Sequence, residues 1–324
     1  MPRIRSPRQG SMQFWPRSRS RDIVARVRHW PAAKDAKFVG FAGYKVGMTH
    51  VMMKDNGTTS ITKGEEIAVP VTVVECPPIK IAAILLYKKD AYGVHSVGQI
   101  NADKLDKYME RQLPPVKKPA KKVEVKDLDE VRVLVYTQPH LTGLGKKTPD
   151  VFELGIGGSK AQDKLTFAQS MLGKEVKFSE VFSAGQIVDS VSVTKGKGLQ
   201  GPVKRHGIAL RSHKSEKTKR GPGSLGPWHG FRGWRVPHQG QMGFHQRLEH
   251  NKLILSVGDD VKKVNVKGGY IRYGNLKSQY VLFKGSLGGA SKRLVTFTAA
   301  RRGHLVKLPK DLPEINSISV SSKQ

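Results

Sequence analysis

The chain has 324 residues, room for one large domain or two ordinary ones, and its 38 % hydrophobic content excludes a wholly disordered polypeptide. Fifty-seven Lys and Arg face 26 Asp and Glu, a formal net charge of +31; an imbalance of that size points to a polyanionic partner, nucleic acid before anionic lipid or a merely soluble cationic surface. The single cysteine, Cys76, excludes an internal disulfide and a cysteine-based zinc site, and the longest aliphatic run, residues 81–86, is far too short to span a bilayer.

Residues 1–37 carry eight Arg and two Lys against Asp22 and Asp35 only. That Arg- and Ser-rich composition also fits an organellar transit peptide. Against it, Pro2, Pro7 and Pro16 break an amphipathic helix early, and Phe14, Trp15 and Trp30 suit stacking or docking. Beyond the arm the chain reads mainly as β. Val69–Val74, residues 131–135 and residues 187–193 show β-branched runs or period-2 alternation. Tyr280–Phe283 and Leu294–Ala299 read as strands around a Gly285–Gly289 turn. Short strands with Gly-rich punctuation predict a barrel or a sandwich.

Two stretches read as helices: one through Leu105, Tyr108, Met109 and Gln112, the other through Leu165, Ala168 and Leu172, with Gly173 placed to end it. Between them residues 114–122, PPVKKPAKK, read as a linker or exposed basic loop, so residues 97–175 are expected to be an α/β insertion.

Residues 195–252 cannot be core. They hold 13 Lys or Arg, two acids (Glu216 and Glu249), 11 Gly, four Pro, and only seven Ile, Leu or Val in 58 positions. So little apolar surface does not offset the roughly 1–2 kcal/mol per residue lost in ordering a backbone. Yet the segment is no low-complexity tail, since it carries Trp228, Phe231, Trp234, Phe244 and six of the 11 His. All four Trp of the chain lie here or in the arm, which implies that a partner covers them. Cations for phosphates, aromatics for bases and Gly for close backbone approach are what folded RNA requires. The alternatives are that Trp228 and Trp234 pack back on the β domain, and that the His cluster holds a metal; His206/His213 and His245/His250 lack standard ligand spacing. Gly155, Gly157 and Gly158 miss the dinucleotide-binding spacing, GKGLQG is no phosphate loop, and no nucleophile or acid pair stands out. No enzymatic activity and no cofactor are expected.

Several motifs in order carry a family resemblance: RQGSMQFWPRSRS from residue 8, FVGFAGYKVGMTHVM at 38–52, VTKGKGLQGPVKRHG at 193–207, GSLGPWHG, VPHQGQMGFHQRLEHNK, and YVLFKGSLGGASKRL at 280–294. From about residue 8 to residue 301 the chain resembles the universal large-subunit ribosomal protein family numbered three. The large insertion and the absence of a long Lys-rich C-terminal extension look archaeal. The resemblance demotes the transit-peptide reading, because the arm matches mature members. It implies a small translation-protein-type β-barrel with the α/β insertion, a long internal loop and a basic arm. The boundaries are then 1–37 (arm), 38–96, 176–194 and 253–300 (barrel), 97–175 (insertion), 195–252 (loop) and 301–324 (tail).

The implied partners are large-subunit rRNA and neighbouring large-subunit proteins in the cytoplasmic ribosome, with no membrane and no small-molecule substrate; the implied role is early assembly and shaping of the peptidyl-transferase and aminoacyl-tRNA accommodation region. RNA contacts are expected from Arg8, Arg17, Arg19 and Arg21 of the arm, and from Lys195, Lys197, Lys204, Arg205 and His206 at a Gly-spaced turn. Lys214, Lys217, Lys219 and Arg220 would line RNA along the loop, with Trp228, His229 and Trp234 at its far end. Arg232, Arg235, Gln241, His245, Arg247 and Lys252 would hold the return limb. Gln241 aligns with a Gln methylated in some bacterial members, a modification that depends on a separate enzyme and that the sequence does not decide, and Glu216 stands where some eukaryotic members carry a modified His. A DNA-packaging protein and an RNA-modifying enzyme are the rival classes.

Overall fold

The computed structural model describes residues 9–57, 59–113, 128–215, 217–225, 235–306 and 312–322. The expected basic loop at 114–122 lies outside them. In chain order the strands are β1 (Gly40–Lys54), β2 (Glu66–Glu75), β3 (Ile79–Asp90), β4 (Gly93–Asn101), β5 (Glu130–Thr137), β6 (Val151–Gly155), β7 (Glu175–Val176), β8 (Ile187–Val193), β9 (Leu199–Gln200), β10 (Gly240–Gln241), β11 (Gln246–Gly258), β12 (Tyr280–Lys284), β13 (Leu294–Ala299) and β14 (Ile315–Ile318). Among the described residues three α-helices accompany them: α1 (Ala161–Met171), α2 (Phe178–Val181) and α3 (Pro202–His206). The protein is therefore mainly β. It divides into two compact units, one of residues 23–192 and 247–324, the other of residues 1–22 and 193–246.

The larger unit is built on β1. One edge of this 15-residue strand pairs with β2. Its other edge pairs with β13 over Gly40–Tyr44 and with β14 over Val51–Met53. A register shift between Lys45 and Gly47 marks the bend between the two halves. The large sheet runs β13-β8-β11-β12-β2-β1-β14, and because β13 also pairs with β1 the ladder from β1 round to β13 returns on itself. A second sheet, β4-β3-β5-β6 with β7 on β3, covers part of the same core. The strands expected around 69–74, 131–135, 187–193, 280–283 and 294–299 are β2, β5, β8, β12 and β13.

The core forms because the central strands are covered on both faces: β8, β12 and β13 are buried at nearly every position. Phe41, Val71, Val73, Ile84, Leu86, Val133, Phe283 and Phe297 are 0–1 % exposed. Burial of each large apolar side chain contributes about 1.5–3 kcal/mol. Phe283 stacks on Phe297 at 4.5 Å, and Phe178 from α2 meets Phe41 edge-on at 5.3 Å. Where the chain needs close approach it uses Gly: a side chain at Gly43 would collide with Cys76 and Val74.

Two expectations are corrected. The helix through Leu105–Gln112 is only a single 3-10 turn, Met109–Arg111. Asp106 is committed as a tertiary acceptor for the Tyr136 hydroxyl and the Lys80 ammonium, both at 3.0 Å, and Met109 is buried beside Ala82 and Tyr136. Pro114 and Pro115 follow immediately and cannot extend a helix. The second expected helix is α1, and Gly173 after it adopts φ +76. The other correction concerns Trp30. It is not held for an outside partner: it packs on the core, and its ring fills the space a side chain at Gly40 or Gly155 would need.

Candidate nucleic-acid interface

The smaller unit joins the N-terminal arm to the two limbs of the extension. The outgoing and returning limbs pair as β9 and β10, with Gly240 opposite Gln200 and Gln241 opposite Leu199. Lys197 N–H donates to Met242 O, Met242 N–H to Gly198 O, and Thr194 N–H to His245 O, at 2.9–3.0 Å. At the turn into β10's far side Gly243 has φ +73, with no space for a side chain against the Lys195 carbonyl. Pro202 starts α3 and Gly207, at φ +62, ends it, leaving Lys204, Arg205 and His206 in the last turn.

The arm is fastened to these limbs by residues expected to touch RNA. Trp15 stacks on His206 with ring centroids 6.5 Å apart and 18° between planes. The guanidiniums of Arg17 and Arg205 lie 5.7 and 5.9 Å from the Trp15 ring. Arg17 also donates to Arg205 O at 3.3 Å, and His206 Nδ1 donates to Gln9 O at 3.4 Å. His245, buried, donates from Nδ1 to Ser18 O at 2.8 Å, and Ser20 N–H reaches Phe244 O at 2.8 Å. Arg205 braces the returning limb through Gln241 O (3.1 Å) and His238 O (3.0 Å). Partial burial lowers the pKa of Arg205 from its ordinary value, although an arginine stays protonated at any physiological pH. Gln241 turns its amide inward, donating to Gly243 O at 2.9 Å.

Outward-facing charge comes from different residues. Arg19, Arg21, Lys195, Lys197, Lys204, Lys214, Lys217, Lys219, Arg220 and Arg235 are exposed. Sequence reasoning omitted Arg211, which is exposed, donates its N–H to Lys219 O at 3.1 Å, and with Arg235 rims an open cleft floored by Ile208, Pro222, Leu225 and Val236. Arg8, Trp228, His229, Arg232 and Trp234 lie outside the described residues. Arg247 and Lys252 belong to the larger unit, where Lys252 pairs with Glu249 at 2.9 Å and donates to Ser286 O.

Sequence reading also missed the anchor on β8. Asp189, fully buried, accepts from His250 Nδ1 (2.8 Å), Asn251 N–H (3.0 Å) and Arg301 N–H (3.2 Å). Asn251 sits at φ +58 to make its bond. The signal was the one charged residue inside a buried strand, IVDSVSV. His250 is therefore a carboxylate partner, and among the described residues no cluster of three or more His, Cys, Asp or Glu has metal-site geometry.

The chain thus combines a mainly β unit with a second, cation-rich unit whose limbs pair through β9 and β10. The chain belongs to the ribosomal protein L3 family, whose model matches residues 1–126 and 115–324. The proteins named large ribosomal subunit protein uL3 from Archaeoglobus fulgidus and Methanothermobacter thermautotrophicus are 46 % and 42 % identical to it. The first alignment covers 98 % of both chains, the second 100 % of this chain and 99 % of the relative. The protein of the same name from Methanococcoides burtonii is 42 % identical, over 98 % of each chain.

Proposed function

We propose that this protein is a structural, non-catalytic constituent of the large ribosomal subunit in an archaeal-type cytoplasmic ribosome. Its larger unit is a translation-protein-type barrel with an α/β insertion, a reading supported by the ladder that returns on itself. Its smaller unit binds large-subunit rRNA, beside neighbouring ribosomal proteins, and it assists early assembly and shapes the aminoacyl-tRNA accommodation region.

The observation that carries this reading is the division of labour in the smaller unit. Trp15, Arg17, Arg205, His206 and His245 hold arm and limbs together, and the exposed Lys and Arg of the same limbs face outward. Cationic limbs tied to the arm before they meet a partner lose less conformational entropy on binding RNA than a free tail. Phosphate neutralisation then supplies affinity, with a log–log salt slope of roughly −0.7 to −0.9 per contact.

Sedimentation of native lysate through a Mg²⁺-containing sucrose gradient tests the reading. The protein is expected to run with the large subunit and to stay there through a moderate salt wash; recovery at the top of the gradient, or with DNA fragments, overturns it. Trp228→Ala is expected to leave incorporation intact and to change sensitivity to peptidyl-transferase inhibitors or the rate of tRNA accommodation. Unchanged inhibitor response and translation rate in that variant would remove Trp228 from the functional site.

A further inference from the structure

Residues 261–293 hold eight Lys or Arg and no Asp or Glu. They belong to the larger unit and are folded: Val264, Val266, Tyr270, Tyr273 and Leu276 are buried. The Tyr270 hydroxyl donates to Val264 O at 2.8 Å, and a side chain at Gly47 would come within 3.0 Å of the Tyr270 ring. The β1 bend is thus pressed against this loop. From the other side Lys292 N–H donates to Lys45 O at 2.8 Å, and Lys45 Nζ donates to the carbonyls of Leu287 and Gly289. The bend, the 264–274 loop and the 285–293 turn therefore meet.

A groove of about 250 Å³ lies where they meet, lined by Gly47, Met48, Tyr270, Ile271, Arg272 and Ser291. It is smaller than the ~300–1,000 Å³ of a typical small-molecule pocket. Its apolar surface is open, with Met48 42 % and Ile271 58 % exposed. Lys267, Arg272 and Lys292 are exposed on the segments that form it. Two of these hold the left-handed backbone conformation that L residues avoid, Arg272 at φ +63 and Lys292 at φ +71. Such strain persists only where surrounding structure imposes it, and it concentrates at binding sites. Charge present only for solubility needs neither a fixed backbone nor an apolar floor.

We propose that this face is a second RNA-binding surface, separate from the extension, in which Lys267, Arg272 and Lys292 hold backbone phosphates while one unstacked base or ribose lies over Met48 and Ile271. RNA fits better than an acidic peptide or a vesicle surface, because every nucleotide places a planar apolar group beside a phosphate. The proposal rests on the RNA-binding reading above but on different residues.

The test uses the full-length protein with Lys267→Gln, Arg272→Gln and Lys292→Gln combined, and a control with Lys214→Gln, Lys217→Gln and Lys219→Gln in the extension. Each is titrated with large-subunit rRNA across a salt series and footprinted by hydroxyl radical. The face variant is expected to make the log–log salt slope less negative by about 2–3, and to lose protection at nucleotides other than those lost in the control. Restoring charge with Lys267→Arg and Lys292→Arg beside native Arg272 is expected to recover both, which separates charge loss from misfolding. If the control changes and the face variant retains the wild-type slope and footprint, the second surface is wrong and the RNA reading stands. Absence of salt-dependent rRNA binding by the wild type overturns both. Capture of an acidic ribosomal protein or of phosphatidylglycerol vesicles that fails in the face variant, with RNA binding intact, assigns the surface to another partner and overturns the proposal.

Discussion

A chain lacking residues 208–237, with Gly207 joined to His238, is expected to fold its larger unit normally and to fail to enter the large subunit. The first half follows from where the core is. Among the described residues, none of the buried residues in the main apolar cluster comes from 193–246, and the strands that build the cluster pair with one another. The unfolding free energy of the larger unit should move by no more than about 0.5 kcal/mol, the range for changes away from packed features. The second half follows from charge. The deleted stretch holds seven Lys or Arg and one acid, Glu216. If each cation neutralises one phosphate, the salt slope falls by about 5–6 in magnitude, so affinity at moderate salt drops by orders of magnitude. The ties that fasten the arm, from Trp15, Arg17 and Ser20 to Arg205, His206 and Phe244, all lie outside the deletion. The arm should therefore stay ordered, and residual rRNA binding by the truncated protein should be weak but measurable. Gradient sedimentation of tagged wild-type and truncated protein from the same cells reads the outcome. Incorporation of the truncated form at wild-type level would show that affinity resides elsewhere in the chain. A single Lys214→Ala in the same assay should change little, since it removes one contact of many.

The strands were legible from two signals: one-parity apolar positions marked β2 and β8, and a β-branched run marked β5, although β8 is buried at almost every position and not on one face alone. What the pattern could not report was pairing, since β1 serves three partners and nothing local in GFAGYKVGMTHVMMK distinguishes the half that meets β13 from the half that meets β14. The 105–112 helix failed for a related reason: its apolar spacing is real, but Asp106 is drawn into long-range bonds and the two prolines cut the run short. The argument that an outside partner covers the Trp side chains fails at Trp30, while Trp228 and Trp234 lie outside the described residues. Trp15 does lie outside the main core, in the cation-rich unit, yet it is already covered in part by His206, Arg17 and Arg205. Trp30 is ordinary packing, legible only once Gly40 and Gly155 are seen to make room for it. In the candidate interface, composition identified the cationic segment but could not separate cations that face outward from those that brace the limbs. Arg205 and Lys204 are adjacent and chemically alike, and only the fold turns one toward Gln241 and His238 and leaves the other exposed.

Replacing Glu75 by Ala is expected to destabilise the larger unit by about 3–5 kcal/mol, the range for losing a buried hydrogen-bonded charge network. Glu75 ends β2 and is fully buried. Its carboxylate accepts from Tyr273 Oη (2.5 Å), Lys277 N–H (2.7 Å), Ser278 N–H (2.9 Å) and Ser278 Oγ (3.0 Å). The side chain is held by directed donors: two backbone amides and two hydroxyls supply its hydrogen bonds. Truncation strands all four donors, each at about 1–3 kcal/mol when left unsatisfied, with partial recovery through water and relaxation. Burial and the neighbouring Glu75 charge push the Tyr273 hydroxyl well above its ordinary pKa, so it stays a donor throughout the physiological range. The sign of that shift sets the pH dependence: a phenol raised in the folded state contributes stability that is complete below the unfolded value near 10 and is lost as pH rises toward the folded one. Glu75→Gln keeps one acceptor oxygen but turns an NH₂ toward the donors, so its loss should fall between zero and that of Ala. Tyr273→Phe removes one hydroxyl donor and should cost about 1–2 kcal/mol while flattening the alkaline limb of the stability curve. Chemical denaturation midpoints at pH 7 and pH 10.5 for the three variants measure these differences. Because this carboxylate also fixes the end of the 264–279 loop through Lys277 and Ser278, Glu75→Ala should weaken the Lys267–Arg272 surface as well, an effect that Tyr273→Phe should largely spare. Equal stability of Glu75→Ala and the wild type would mean that water replaces the carboxylate without loss, and the loop would then be held by its buried Val264, Tyr270 and Leu276 and by the bonds between Asn265 and Leu276.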